Sequence, residues 1–350
     1  MAEILYDAPV APDELTYAIR NISPAPDLVL SNTAPITTSN SNTVRWGEIT
    51  RRNRLAKYRS FDGQIAVAQR DGASDRIVRL APFSNSLNLG EYERLQQEFL
   101  RLGGSQTAAL VSAIYDDAAL LTRSMHCRVE KALGQTLSTG KFTVSENNFS
   151  SEADFGVHAD NKLSASVVWS TSATALAGND LRTLRAKFVA SAGVGPGRIV
   201  TSEAVVNALM VNAQIVGEAL GTTSGRTWIN REELAAWLRA NRLPDIITEV
   251  ETTVYNDETG ADERVFPAHL IVMTPANLGS VLEFRYGLSA TALELVQSNR
   301  AEISFADAPG IVGMVVKEGP PFRQFTYVDA VGMPILSGPK QVVIGSVLTP

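Results

Sequence analysis

Residues 134–143 read GQTLSTGKFT, and the ingredients are those of a phosphate-binding loop: a glycine, a short polar run, then Gly140-Lys141 with Thr143 two places on. Such a loop points backbone N–H groups and a lysine at phosphate oxygens. It needs four residues between its first glycine and the Gly-Lys pair, a Ser or Thr directly after the lysine, and a strand-to-helix setting. Here five residues separate Gly134 from Gly140, and Phe142 stands where the hydroxyl belongs. The setting is also inverted, because an amphipathic run precedes the stretch and the strand-like KFTV follows it. The loop would meet the partially negative carbonyl end of a helix, which repels phosphate. Gly134 and Gly140 are therefore read as helix-ending and strand-starting residues.

The other candidates for chemistry are weaker. SAGVGPGR (191–198) lacks the G-x-G-x-x-G spacing, and Pro196 has no N–H to offer a phosphate. The chain has no G-x-S-x-G, no H-E-x-x-H, and no H-x-E with a paired cysteine motif. Asp116 and Asp117 are adjacent on a helix and point in different directions, so they make a poor acid–base pair. Asn256-Asp257-Glu258 could suit calcium, but Thr259-Gly260 makes the run a turn. A single cysteine, Cys127, excludes an intrachain disulfide, and with His126, His158 and His269 scattered it cannot complete a Cys/His zinc site. Within its helix, Cys127 reads as a small buried apolar residue and His126 as a partly exposed neighbour. No catalytic residue, cofactor or metal site is expected.

The elements that carry these residues are mixed. The chain has 350 residues, 45% of them hydrophobic and 19% charged, which suffices for one large or two ordinary domains. A net charge of −6 and a pI near 5.3 argue against a surface that grips nucleic acid throughout. Acidic residues interrupt the first positions and no apolar run approaches the ~20 residues of a membrane helix, so a soluble protein made in the cytoplasm is expected. Residues 1–44, with prolines at 9, 12, 24, 26 and 35 and no sustained helical period, read as an extended arm that orders only on another surface. Residues 64–69 and 76–80 read as a hairpin about Asp71-Gly72-Ala73-Ser74. The same region carries the basic cluster Arg51, Arg52, Arg54, Lys57 and Arg59, either a solvated face or a grip on a neighbouring subunit or nucleic acid.

Apolar residues at 110, 111, 114, 118, 121, 125, 129, 132 and 133 predict an amphipathic helix over about 106–135, a spine of roughly 45 Å at 1.5 Å per residue. After it come strands at 141–146 and 162–169, and a helix near 174–193 capped by Asn179 or Asp180. A strand at RIV (198–200) leads to a helix capped by Thr201 or Ser202, and a further helix is capped at Asn230. Strands at 246–255 and 264–273 flank a turn, and short runs broken by Gly and Pro close the chain. Strands and helices mix without regular βαβ alternation, so the fold class is α+β.

This order of elements resembles the major capsid proteins of tailed bacteriophages, and more specifically the lambda-type major capsid protein E family. The resemblance is carried by RVEKALGQTLSTGKFTV (128–144), SEADFGVHADNK (151–162) and MVVKEGPPFRQFTYVDAVGMPILSGPKQVVIGSV (314–347). It implies the fold named for phage Hong Kong 97. The implied regions are an N-terminal arm (1–44), an extended loop (45–85), a peripheral domain (86–190, with spine helix 106–135), an axial domain (191–309), and closing peripheral strands (310–350). In that fold the arm and loop reach across neighbouring subunits.

The implied role is structural: self-assembly into pentamers and hexamers of an icosahedral shell around double-stranded DNA, bound without sequence specificity. Decoration, scaffolding and portal proteins would be partners, and the virion capsid, assembled in the host cytoplasm, the location. The basic cluster at 51–59 would then face acidic patches on an adjacent subunit. Some shells of this fold form a lysine-to-asparagine isopeptide bond between loop and closing region. Lys57 could donate, but residues 300–350 contain no asparagine, so no self-crosslink is expected. Alternatives are an encapsulin-like nanocompartment shell, or a soluble nucleotide-binding α+β enzyme resting on the near-loop at 134–143.

Overall fold

The computed structural model describes residues 3–49, 73–89 and 107–350, apart from 147, 222–224, 249, 258, 299, 321 and 322. The chain forms two compact units, each discontinuous in sequence. The first takes Met1–Val44, Val78–Leu133 and Glu283–Ile335, the second Arg45–Ile77, Gly134–Leu282 and Leu336–Pro350.

The first unit is built on a six-stranded sheet whose central strand is Arg323–Leu336. Val312–Glu318 pairs antiparallel with it from Val312↔Asp329 to Glu318↔Arg323, and Ala81–Leu89 pairs antiparallel from Ala81↔Gly332 to Leu89↔Gln324. This strand was expected to be broken by Gly332 and Pro334. It runs through both, and Pro334 lies beyond the last residue paired with Ala81–Leu89, where its missing N–H takes nothing from that ladder. Leu282–Tyr286 continues the sheet, and Phe83, Phe284 and Tyr286 form an aromatic cluster with centroids 4.9–6.3 Å apart.

The N-terminal segment departs from the expected extended arm. Pro12–Arg20 is an α-helix, with Pro12 in its first turn, where the missing N–H would have had no partner. Asp13 and Glu14 complement the positive end of the helix. Leu15, Thr16 and Ile19 form its buried face. Two apolar residues and a threonine in nine residues are too short a run for a period to show in sequence.

The long helix runs from Thr107 to Thr139, about 50 Å, past the expected end at 135. Its predicted apolar stripe is buried at Ile114, Ala118, Leu121, Met125, Val129, Ala132 and Leu133. A second stripe is also buried and is polar: Thr122, His126 and Glu130, at i, i+4 and i+8.

The second unit holds a five-stranded mixed sheet in the order Ile246–Ile247, Arg198–Thr201, Leu270–Thr274, Val343–Ser346, Lys162–Ser164. Its core gathers Trp169, Phe188, Trp237 and Leu238 with Ile271, Met273 and Val343. The capping box expected at Asn230 is present, with the Asn230 side chain accepting from Glu233 N and Glu233 accepting from Asn230 N. Ser202 caps Glu203–Met210. The N-cap of the helix Ala177–Ala192 is Leu176 and neither Asn179 nor Asp180, which lie inside the helix with their side chains engaged elsewhere. Asp180 accepts from Trp169 Nε1 at 2.9 Å, and Asn179 accepts from Arg182 and Gln214.

Two hairpins differ from expectation. Lys141–Glu146 is a strand as predicted, but its partner is Phe149–Asp154, read from sequence as polar loop. Asn148 sits at φ 63 in the tight connection, a conformation asparagine tolerates. Ala73–Arg79 pairs with Thr43–Ile49, so Ala73 and Ser74 are strand and not turn; residues 64–69 lie outside the described residues.

Candidate functional site

The stretch 134–143 folds as a helix end followed by a strand. Gly134 does not end the helix. It lies one and a half turns inside it, where a Cβ would fall 2.3 Å from the Val265 carbonyl oxygen. The residue is glycine because two backbones meet there. Gly140 is the terminating residue, at φ 73, and its N–H donates to Thr136 O at 2.9 Å. Lys162 Nζ donates to Thr139 O at 2.7 Å, satisfying a carbonyl at the negative end of the helix.

Lys141 is held by carboxylates. Its Nζ lies 3.0 Å from both Asp154 Oδ2 and Glu152 Oε1, and these hydrogen bonds, Asp154 first, raise its pKa. A phosphate approaching Lys141 would meet two like charges beside it and a helix carboxyl end behind it. The geometry removes the nucleotide reading of this loop.

No group of three or more His, Cys, Asp or Glu suited to a metal ion occurs among the described residues, and no described helix is long and apolar enough to cross a membrane. His126 and Cys127 exchange the roles read for them. The imidazole is buried, and burial lowers its pKa; the thiol is half-buried, and burial pushes it up, away from the reactive thiolate. The basic cluster Arg51, Arg52, Arg54, Lys57 and Arg59 lies outside the described residues.

A buried polar constellation among the described residues is one the sequence did not announce. Glu130, fully buried on the long helix, accepts from Leu30 N at 2.9 Å and from both Ser31 N and Ser31 Oγ at 2.6 Å. Burial holds its carboxyl above the ordinary glutamate range, against the pull of these three donors. Nearby, Arg20 donates through Nε to Ile311 O (2.8 Å), through Nη2 to Ala308 O (3.1 Å) and through Nη1 to Asp307 O. Both side chains spend their polar atoms on groups of their own chain, mostly backbone. They fix segments in place and leave nothing to turn toward a substrate. The only sequence signal for Glu130 is its i+4 spacing from His126 and Thr122, beside the apolar stripe.

Comparison with known proteins bears on the same question. Residues 11–296 match the sequence profile of the phage major capsid protein E family. No curated protein matches the sequence. Among solved structures, the chain is similar to the putative capsid protein of a prophage of E. coli CFT073, with TM-score 0.57, 13% identity, and 94% of each chain covered. It is also similar to a phage-related protein of Bordetella bronchiseptica RB50, with TM-score 0.52, 13% identity, and 95% of each chain covered. At that identity the likeness is one of fold, and the fold is the Hong Kong 97-type capsid fold. With a family profile that spans most of its length, the chain belongs to the phage major capsid protein E family.

Proposed function

We propose that the chain is a structural protein that self-assembles into the pentamers and hexamers of an icosahedral phage shell around double-stranded DNA, without catalytic chemistry of its own. The observation that carries this reading is the family match over residues 11–296 on a capsid fold. The described polar clusters support it, since they are engaged with their own chain. Many modest subunit contacts add through multivalency, so a closed lattice is durable without any single strong interface. A net charge of −6 suits a container, because strong phosphate attraction would hinder packing and release of DNA.

Within this reading the extended loop at 45–85 reaches neighbouring subunits, and its basic residues meet acidic patches there. In this reading the peripheral region is 86–190 with 310–350, and the axial region is 191–309. Decoration, scaffolding and portal proteins complete the particle, which assembles in the host cytoplasm.

Arg51, Arg52 and Arg54 changed together to Glu should block particle formation while leaving the circular dichroism spectrum and melting cooperativity of the subunit unchanged. Normal particles from that variant would remove the loop from assembly. Because residues 300–350 contain no asparagine, mature particles should run as a single monomer band on a denaturing gel. A ladder of subunit multiples would contradict this. Shells that enclose a cargo protein and no nucleic acid would transfer the chain to the nanocompartment class.

A further inference from the structure

The N-terminal segment, which the family resemblance makes an arm donated to neighbours, is tied into its own unit along its whole length. Glu3–Ile4 pairs with Val316 and Lys317 at one edge of the sheet. The helix Pro12–Arg20 lies on Val312–Glu318 at a notch made by Gly313, where a Cβ would fall 2.2 Å from Ile19 Cδ1 and 3.2 Å from Leu15 Cγ. Thr16 Oγ1 donates to Gly313 O at 3.2 Å and accepts from Gly313 N at 3.1 Å. Arg20 satisfies the carbonyls of 307, 308 and 311. Glu130 fixes residues 30 and 31, and Ile36–Thr38 runs parallel to Phe284–Tyr286 at the sheet edge.

These contacts alone would also fit an arm exchanged between copies. The connection to the rest of the chain argues otherwise. Ser39 N donates to Tyr286 O at 2.8 Å, and Leu80 N donates to Asn42 O at 2.9 Å. Thus the segment is pinned to its own sheet at Ser39 and held again at Asn42. The residues from 39 to 42 span at most ~14 Å when fully extended, so with Asn42 held to Leu80 an exchange of residues 3–38 would need a neighbour's sheet edge within that distance.

We infer that residues 3–44 are a permanent part of their own subunit, with Glu130 as the positioning residue that anchors them, and that exchange between copies falls to other segments. Here Leu15, Ile19, Leu28 and Leu30, each at most 1% exposed, are part of the core, and removing them would leave Glu130 buried without its donors.

The inference rests on the shell-building reading only for its particle arm, and two experiments separate the two. In wild-type protein, the Leu30 and Ser31 amides should be protected from hydrogen exchange by at least ~100-fold in the dilute, unassembled subunit, and equally in the shell. Protection that arises only on assembly would overturn the inference. This measurement stands in the free subunit even if no shells form.

The second experiment uses the notch. A variant carrying Leu15→Cys and Gly313→Cys, with Ile19→Val to clear the site and Cys127→Ser to remove the native thiol, brings two sulfurs within disulfide reach. After oxidation of particles, a non-reducing denaturing gel should show only the monomer, without free thiols. Bands at dimer and above would overturn the inference. Free thiols persisting in the folded protein would count equally against it, because positions 15 and 313 would then not adjoin.

Discussion

Glu130→Ala should lower the stability of the first unit by ~2–4 kcal/mol, read as a shifted denaturant midpoint. The truncation leaves the N–H groups of Leu30 and Ser31 and the Ser31 hydroxyl without the acceptor that serves all three. None lies where water replaces it easily, since Leu30 and Ser31 are both buried. The loss is smaller than the sum of three bonds, because the desolvation cost of the carboxylate disappears with it. That cost also sets a pH dependence. Burial raises the folded carboxyl above its ordinary value of 4.5, so the neutral form is favoured in the fold. Its contribution is complete below the unfolded pKa and declines as pH rises through the folded one. The gap between wild type and Glu130→Ala should therefore be widest in mild acid and narrow toward neutrality. A gap that widens with pH would show that the three donors outweigh burial.

Gly134→Ala should destabilise the second unit by ~1–3 kcal/mol, in the face of helix propensity. In an open helix the same change stabilises by about 1 kcal/mol. Here the new methyl would lie 2.3 Å from Val265 O and 2.6 Å from Val265 Cγ1. A valine side chain can rotate, but a backbone carbonyl cannot step aside without moving the bend that holds it, so overpacking decides the sign. A neutral or stabilised variant would mean that the two backbones do not meet as described. The prediction also settles what kind of glycine this is. A phosphate-loop glycine is small so that a ligand can approach, and its replacement costs binding with little effect on the melt.

Much of the first-order architecture was legible in the sequence. The apolar stripe from Ile114 to Leu133 marked the long helix, Ser202 and Asn230 marked their caps, and the strand read over 264–273 took in four residues of the central strand Leu270–Thr274. Failures arose where tertiary contacts override local pattern. Gly134 looked like a stop because a helix-interior glycine is costly, and nothing local reveals the Val265 backbone that requires it. Phe149–Asp154 looked like loop because its residues are polar; its partner Lys141–Glu146, with paired Lys141 and Asp154, makes it a strand. Pro12–Arg20 was hidden among prolines, one of which starts it.

The constellation around Glu130 was the least legible. Acidic residues in an amphipathic helix are assigned outward by default, and its donors come from a segment 99 and 100 residues away. The basic cluster at 51–59, by contrast, was conspicuous in sequence and lies where the structure describes nothing.

Electron microscopy of the purified full-length protein after expression, paired with sedimentation velocity on the same sample, tests the shell-building role most directly. Uniform closed shells, sedimenting far ahead of a 37.6 kDa chain, are the expected result. A protein that stays monomeric at high concentration, across ionic strengths and with the other capsid gene products present, would contradict it.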